Sequence, residues 1–322
     1  MELDKALSAT PGLDVRPRAP LSHYTRFGIG GAADLVAEAW TEPALIAALN
    51  LMRESGNAHT IIGDGTNLIV SDAGYKGVVI RYRGSAIEID NRVVHVKAGT
   101  VLQALVDAAI AHGLSRTHTM TGIPGSVGAA IYGNAGAYGH SISESVLSVR
   151  YFDGETIRIR SNMECEFMYR ESIFKRHKDW VILGASLALV PGDPIELRRA
   201  ADNIRKIRDE KYPPTMKCAG SIFKNLMLAE LPESARAAVP PQVVREGKVP
   251  SAWFLEQAGV KGLRIGGIQV AEYHANLIYN ADSGTAAQLC QAIHICQERV
   301  REKFGFNLEE EVQYVGFEPA AV

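Results

Sequence analysis

Residues 121–139 read TGIPGSVGAAIYGNAGAYG. Six of them are glycine, most of the rest are small, and none carries a charge. Backbone this bare is used where something must approach it closely. A Walker phosphate loop would end in Gly-Lys-Ser/Thr, and that triplet occurs nowhere in the chain. A membrane helix would not carry this density of glycine together with Pro124 and Asn134. Two readings survive: a glycine-lined wall for a ligand, or small residues packed around strand ends.

Working outward, a second glycine device lies at Gly63-Asp-Gly-Thr-Asn-Leu68, between the short apolar runs HTIIG and NLIV. Closely spaced glycines between strands let successive N–H groups form an anion nest, and Thr66 and Asn67 add short polar side chains. A hairpin turn would explain Asp64-Gly65 equally well by itself. Two nests in one chain suit a long ligand with a pyrophosphate and a flat ring system. By contrast, Gly28-Ile-Gly30-Gly-Ala-Ala33 satisfies the dinucleotide fingerprint but is preceded by polar residues and followed by a strand-like DLVAEAW. The fingerprint needs a buried strand before it and a helix after it, so this is a glycine turn.

The flanking periodicity is mixed. A helix is expected over 42–55, with Thr41 as N-cap, Pro43 in the first turn and Gly56 as the stop. A second begins at Thr100, with Leu102, Leu105, Val106, Ala109 and Ile110 on one side and Gly113 at its end. Strands are expected at Val78–Tyr82, Ala86–Ile89, Val93–Val96, LSVRYF, TIRI and WVILGASLALV. After Pro191-Gly-Asp-Pro194, a charged helix carries a thin apolar stripe of Ala200, Ile204 and Ile207. A proline-punctuated region follows, with a short helix at Ser251–Gln257, a long helix over 285–304 and a closing strand NLEEEVQYVG. The class is α+β.

Composition bounds the function. The 322 residues are 47% apolar and 22% charged, with net charge −2. A dedicated nucleic-acid binder would show a basic excess. Four scattered cysteines without C-x-x-C read as reduced packing residues of a cytoplasmic protein, and nine histidines form no ligand-spaced pair, so no metal is expected. The opening MELDKALSAT has no apolar core, and the run at 180–192 is too short to span a bilayer, so neither a signal peptide nor membrane insertion is expected.

The second half holds Gly220-Ser221-Ile-Phe-Lys224-Asn225 and Leu308-Glu-Glu-Glu-Val312. No nucleophile elbow surrounds Ser221, so it is a proton donor or an ordinary loop serine rather than an acyl-transfer nucleophile. In a strand Glu309 and Glu311 would share one face and Glu310 the other, and periodicity does not choose among them.

Together these segments resemble one family, the UDP-N-acetylenolpyruvoylglucosamine reductases of peptidoglycan precursor synthesis. The resemblance runs in order through HYTRFGIGG (23–31), GDGTNLIVSD (63–72), residues 121–139, YRESIF (169–174), GSIFKN (220–225), GVKGLRIGG (259–267), HANLIYN (274–280) and LEEEVQYVG (308–316). It implies an FAD-binding, PCMH-type (vanillyl-alcohol-oxidase-like) fold of two subdomains, at 1–83 and 84–205. A smaller α+β substrate-binding domain at 206–306 follows, and the C-terminal strand of 307–322 returns toward the flavin. FAD would be held non-covalently by Tyr24, Gly63, Gly65, Thr66, Asn67, Leu68, Gly122, Ile123, Pro124, Gly125, Ser126, Gly128, Ala129, Asn134 and Gly136.

The implied activity has two half-reactions: NADPH reduces the flavin, and the flavin then reduces the vinyl carbon of enolpyruvyl-UDP-GlcNAc. Ser221 matches the family's proton donor, and Arg170 and Glu311 match the residues that stabilise the enolate. Tyr169, Lys211, Asn225, Lys261 and His274 match substrate contacts. The expected protein is a cytoplasmic monomer. Departures are Leu226 and Glu310, where the family often has proline, and the proline-rich segment 227–250. The interval between YRES and GSIFKN is short and holds one tyrosine, Tyr212, so the chain resembles the class lacking a tyrosine loop. A flavin oxidase on the same cofactor fold, or a non-catalytic FAD- or UDP-sugar-binding protein, is the alternative.

Overall fold

The computed structural model describes residues 3–318, and the parts of the expected segments 1–83 and 307–322 beyond that range lie outside the described residues. The chain divides into two compact units. The first comprises the N-terminal segment through Ala19, Ala33–Gly65 and Lys76–Glu210; the second comprises Pro20–Ala32, Thr66–Tyr75 and the residues from Lys211 onward.

The first unit has two sheets. One is ordered Leu13–Pro17, Ala33–Ala39, Tyr75–Tyr82, His59–Ile62, and its last two strands run parallel. A parallel pair cannot be closed by a tight hairpin, so the chain must leave and return. That departure is the excursion Thr66–Tyr75, which packs in the second unit. The helix Glu42–Ser55 starts where Thr41 accepts from the Ala44 amide, and it stops at Gly56 (φ 66°). The other sheet is antiparallel, ordered Ile157–Ser161, Val146–Phe152, Val181–Ala188, Val93–Lys97, Ile87–Asp90. The helices Leu102–Ala111 and Val127–Tyr132 contribute Leu105, Val106, Val127 and Ile131 to the same buried core as Val94, Val149 and Leu187.

The charged helix spans Pro194–Lys211 and belongs to this unit up to Glu210. Its apolar stripe differs from the expected one. Leu197 and Ala201 are buried, whereas Ile207 is 53% exposed. The row continues through half-buried Ile204, Arg205 and Arg208, so long arginine stems cover the surface that a purely apolar count assigned to Ile207.

The second unit has an antiparallel sheet ordered Cys218–Ser221, Leu277–Asn280, Ile268–Val270, Arg264–Ile265. The helix Ala286–Phe304 buries Leu289, Ile293, Cys296, Val300 and Phe304. It opens with a capping box between Thr285 and Gln288, and the Asp72 carboxylate accepts from the amides of Ala286 and Ala287 at 2.8 and 2.9 Å. An anion there meets the positive end of the helix dipole. Gly28–Ala33 is followed by the strand Ala33–Ala39, which excludes a dinucleotide site. Its glycines let backbones meet, for the Gly31 amide donates to Ser71 O at 2.9 Å and a Cβ on Gly30 would lie 2.7 Å from Val70 Cβ.

The closing strand is shorter than NLEEEVQYVG. Regular pairing covers Gln313–Val315, which runs parallel to Leu68–Val70. The residues before it bond elsewhere: the Lys224 amide to Glu309 O at 2.9 Å and the Glu311 amide to Ile222 O at 2.7 Å.

Candidate active site

In the first unit the two glycine devices meet. A Cβ placed on Gly63 would lie 3.1 Å from Ser126 Oγ and 3.2 Å from Ala129 Cβ. Behind the turn, Arg81 donates to Gly63 O at 3.1 Å, to Glu38 at 3.0 Å and to Asp64 at 3.0 Å, and Arg83 reaches Asp64 at 3.1 Å. The side chain of Glu38 is 8% exposed, so this ion network is an internal brace on the turn. Neither Glu38 nor Arg81 stood out in the sequence, because a charge inside an alternating strand reads as its solvent face.

Gly65, Gly125 and Ser126 in these segments are buried residues, and none of their backbone amides donates to a protein acceptor among the described residues. Buried N–H groups are nearly always paired, so this set calls for an acceptor-rich ligand. Gly125 sits at φ 115° with its carbonyl held by the Leu102 amide at 2.9 Å. Ser126 caps the helix Val127–Tyr132 by accepting from Ala129 N. Ile123 packs on the core, Pro124 and Ala129 are exposed, and Gly128 fits against Ala98. The Gly122 amide donates to Gln103 Oε1 at 2.9 Å, and Arg205 donates to the same oxygen at 2.7 Å. Arg208 Cδ would lie 3.0 Å from a Cβ on Gly122. The i, i+3 pair Arg205 and Arg208 was the available sequence signal for this contact.

Asn134 and Gly136 hold the segment that carries Arg170. Asn134 is buried; its amide donates to Met168 O at 2.8 Å and its carbonyl accepts from Ser143 N at 3.3 Å. Met168 and Glu171 exchange backbone bonds around a tight turn, with Arg170 at φ 58°. Arg170 donates to Gly136 O at 3.0 Å and lies 5.3 Å over the Tyr169 ring. Lys175 donates to Arg170 O at 2.8 Å.

In the second unit, Ser221 ends its strand, and Ile222 and Phe223 are fixed from beneath. Asn276, 3% exposed, accepts from both of their amides at 3.2 and 2.9 Å. It donates to Phe223 O at 2.9 Å and to Ser251 Oγ at 2.7 Å, which satisfies the whole side chain. Asn225 Oδ1 accepts from the Ser251 amide at 3.3 Å, at the start of the helix Ser251–Gln257. Sequence reasoning missed Asn276 and Ser251, since an amide in an apolar run carries no periodicity.

The three glutamates separate by partner. Glu309 pairs with Lys224 at 2.5 Å, while Glu310 accepts from Gln297 at 3.1 Å and from the Tyr314 hydroxyl. Glu311 is held through its backbone: its amide donates to Ile222 O, and Asn67 Nδ2 donates to Glu311 O at 3.0 Å. Asn67 O accepts from Gln313 N at 3.0 Å, Leu68 starts the paired strand, Thr66 is half-buried and Tyr24 is 8% exposed.

Around Ser221, Tyr212 OH lies 3.1 Å from its Oγ. Lys211 Nζ is 5.1 Å over the Tyr212 ring, and the His274 ring meets that ring edge-on at 6.2 Å. Burial, then the charges of Lys211 and Lys261, push the His274 imidazole down to about 4. Its Nε2 is buried without a partner among the described residues, and Lys261 pairs with Glu256.

The described residues hold no group of three His, Cys, Asp or Glu fit for a metal ion, and no helix long and apolar enough to cross a membrane. The amides of Gly65, Gly125 and Ser126, free among the described residues, fit the oxygens of a diphosphate, so these residues suit FAD.

Comparison with known proteins gives the class first: residues 33–160 match the FAD binding domain family, which makes the first unit that of a flavoprotein. Residues 212–315 match the C-terminal domain of UDP-N-acetylenolpyruvoylglucosamine reductase. The reductase of Solibacter usitatus is 58% identical over 96% of this chain and 99% of its own length, and that of Rubrobacter xylanophilus is 36% identical over 92% and 94%. The crystal structure of the Thermus caldophilus reductase superposes with a TM-score of 0.73, at 28% identity over 94% of this chain and 99% of that one. The chain belongs to the UDP-N-acetylenolpyruvoylglucosamine reductase family.

Proposed function

We infer that this chain is an NADPH-dependent flavoenzyme of peptidoglycan precursor synthesis. It reduces the enolpyruvyl group of UDP-N-acetyl-3-O-(1-carboxyvinyl)-glucosamine to the lactyl ether, giving UDP-N-acetylmuramate. The observation that carries this reading is the 58% identity to the Solibacter usitatus reductase along nearly the whole of both chains. FAD, when bound, supplies the hydride carrier between NADPH and the vinyl carbon.

The protein's own residues do the rest. The amides of Gly65, Gly125 and Ser126 would bind the cofactor diphosphate, with the remaining glycine-segment residues and Tyr24 lining it. Arg170 and Glu311 stabilise the charge that develops on the enolate. Ser221 gives its hydroxyl proton to the carbon next to the carboxylate. Tyr169, Lys211, Asn225, Lys261 and His274 take the substrate, and the lysines balance its diphosphate. Residues 1–83 and 84–205 serve the cofactor, 206–306 serve the substrate, and 307–322 bring Glu311 to the reaction. The enzyme works as a cytoplasmic monomer.

The test is anaerobic. NADPH should bleach the yellow protein, and enolpyruvyl-UDP-GlcNAc should then restore the colour without oxygen. Bleaching that only oxygen reverses would overturn the reading in favour of an oxidase.

A further inference from the structure

We propose that Tyr212 acts through Ser221, as the residue that positions its hydroxyl and hands it a replacement proton during substrate reduction. This rests on the reading of Ser221 as proton donor. The two hydroxyl oxygens are 3.1 Å apart, within hydrogen-bond reach in either direction. The phenol is held in place from several sides. Lys211 Nζ lies over its ring, the His274 ring abuts its edge, and Pro213 follows it and narrows its backbone freedom.

The chemistry gives this contact a purpose. A serine hydroxyl is a far weaker acid than a phenol, whose ordinary pKa is about 10. When the Ser221 O–H bond breaks and a C–H bond forms on the substrate carbanion, an alkoxide would be left on Oγ. In the same step the Tyr212 O–H bond breaks and the serine O–H bond re-forms, so that the negative charge comes to rest on the phenolate. Tyr212 is half-buried, so solvent returns the proton afterwards. No electrons change hands in this relay. The charged and titratable groups around the pair are Lys211, His274, Lys261 and Tyr273. Lys211 is the cation beside the ring and stabilises a phenolate. His274, held neutral by burial, has no proton to lend at neutral pH.

The experiment compares wild type, Tyr212→Phe and Ser221→Ala as flavin-loaded proteins under stopped flow. In Tyr212→Phe, NADPH should reduce the flavin at the wild-type rate, and reoxidation by substrate should slow by about 10- to 100-fold with little change in KM. The dependence of the wild-type reoxidation rate on the D₂O fraction should bow more deeply than that of Tyr212→Phe, which loses one of the hydrogens in flight. On resting protein, the infrared C–O stretch of Tyr212, isolated as the wild-type minus Phe difference, should shift in Ser221→Ala. Unchanged reoxidation in Tyr212→Phe overturns the proposal. If that variant does not fold, a linear wild-type D₂O dependence overturns it alone. Wild-type reoxidation in Ser221→Ala would instead sink the serine assignment itself.

Discussion

The side-chain amide of Asn67 donates to the carbonyl oxygen of Glu311 at 3.0 Å, and the Asn67 carbonyl accepts from Gln313 N at 3.0 Å. Asn67 stands next to the glycine turn, yet both of these bonds hold the chain around Glu311. Two residues that are 244 positions apart in sequence are thereby fixed to one another.

Removing that clamp should loosen Glu311 while the glycine turn keeps its form. Asn67→Ala is expected to lower stability by about 1 kcal/mol, the ordinary worth of one intramolecular hydrogen bond. In protein saturated with FAD, substrate-driven reoxidation should fall by about 10-fold, while reduction by NADPH stays within about 2-fold of wild type. Stopped-flow traces of the two half-reactions check this, and an equal loss in both would refute the clamp.

Asn276 carries a heavier structural duty. It makes four hydrogen bonds at 3% exposure, to Ile222 N, Phe223 N, Phe223 O and Ser251 Oγ. Asn276→Ala leaves the Phe223 amide unpaired, while Ile222 N keeps the Asn276 backbone carbonyl at 3.1 Å and Phe223 O keeps Ser251 Oγ at 3.2 Å, so it should cost about 2 kcal/mol. Asn276→Asp keeps the acceptor and loses the donor, so it should fall between. Urea unfolding of the three proteins would show the order, and a cost below about 0.5 kcal/mol for alanine would contradict the network.

The long elements were legible because each repeats its signal. Thr41, the 42–55 stripe and Gly56 agree on one helix, and Thr285, Gln288 and Gly305 on another. The excursions Pro20–Ala32 and Thr66–Tyr75 were not legible, since a connection that crosses to the second unit carries no period of its own. Glycine density announced the donor-rich backbone around Gly65 and Gly125. Single side chains that act inside the core, such as Glu38 and Asn276, give no pattern. Among Glu309, Glu310 and Glu311, side-chain partners distinguish the first two, and alternation had left all three open.

His274 should make stability acid-sensitive. Its folded imidazole is pushed down from 6.5 to about 4, by burial first and then by Lys211 and Lys261. Between those values the unfolded chain binds the proton and the folded chain does not. Its contribution is therefore complete above 6.5 and drains away as pH falls toward 4, by up to about 1.4 kcal/mol per pH unit. His274→Asn should flatten that part of the profile. Unfolding free energies measured between about pH 4.5 and 7 for both proteins decide it, and parallel profiles would contradict the shift.

Gly125 tests the donor set itself. It is a buried residue at φ 115° whose amide donates to no protein group among the described residues. An alanine there is strained by about 1–3 kcal/mol and must turn the peptide to relax, which redirects the N–H. Gly154 offers the control: φ is 98° and a Cβ would meet nothing within 4 Å. Gly125→Ala should fold and lose flavin, with FAD affinity weakened by about 10-fold or more, while Gly154→Ala suffers comparable strain and keeps its flavin. The flavin-to-protein absorbance ratio after gel filtration, with FAD titration of the apoprotein, reads both. Equal flavin loss in the two variants would show that strain alone was responsible and would remove the Gly125 amide from the cofactor site.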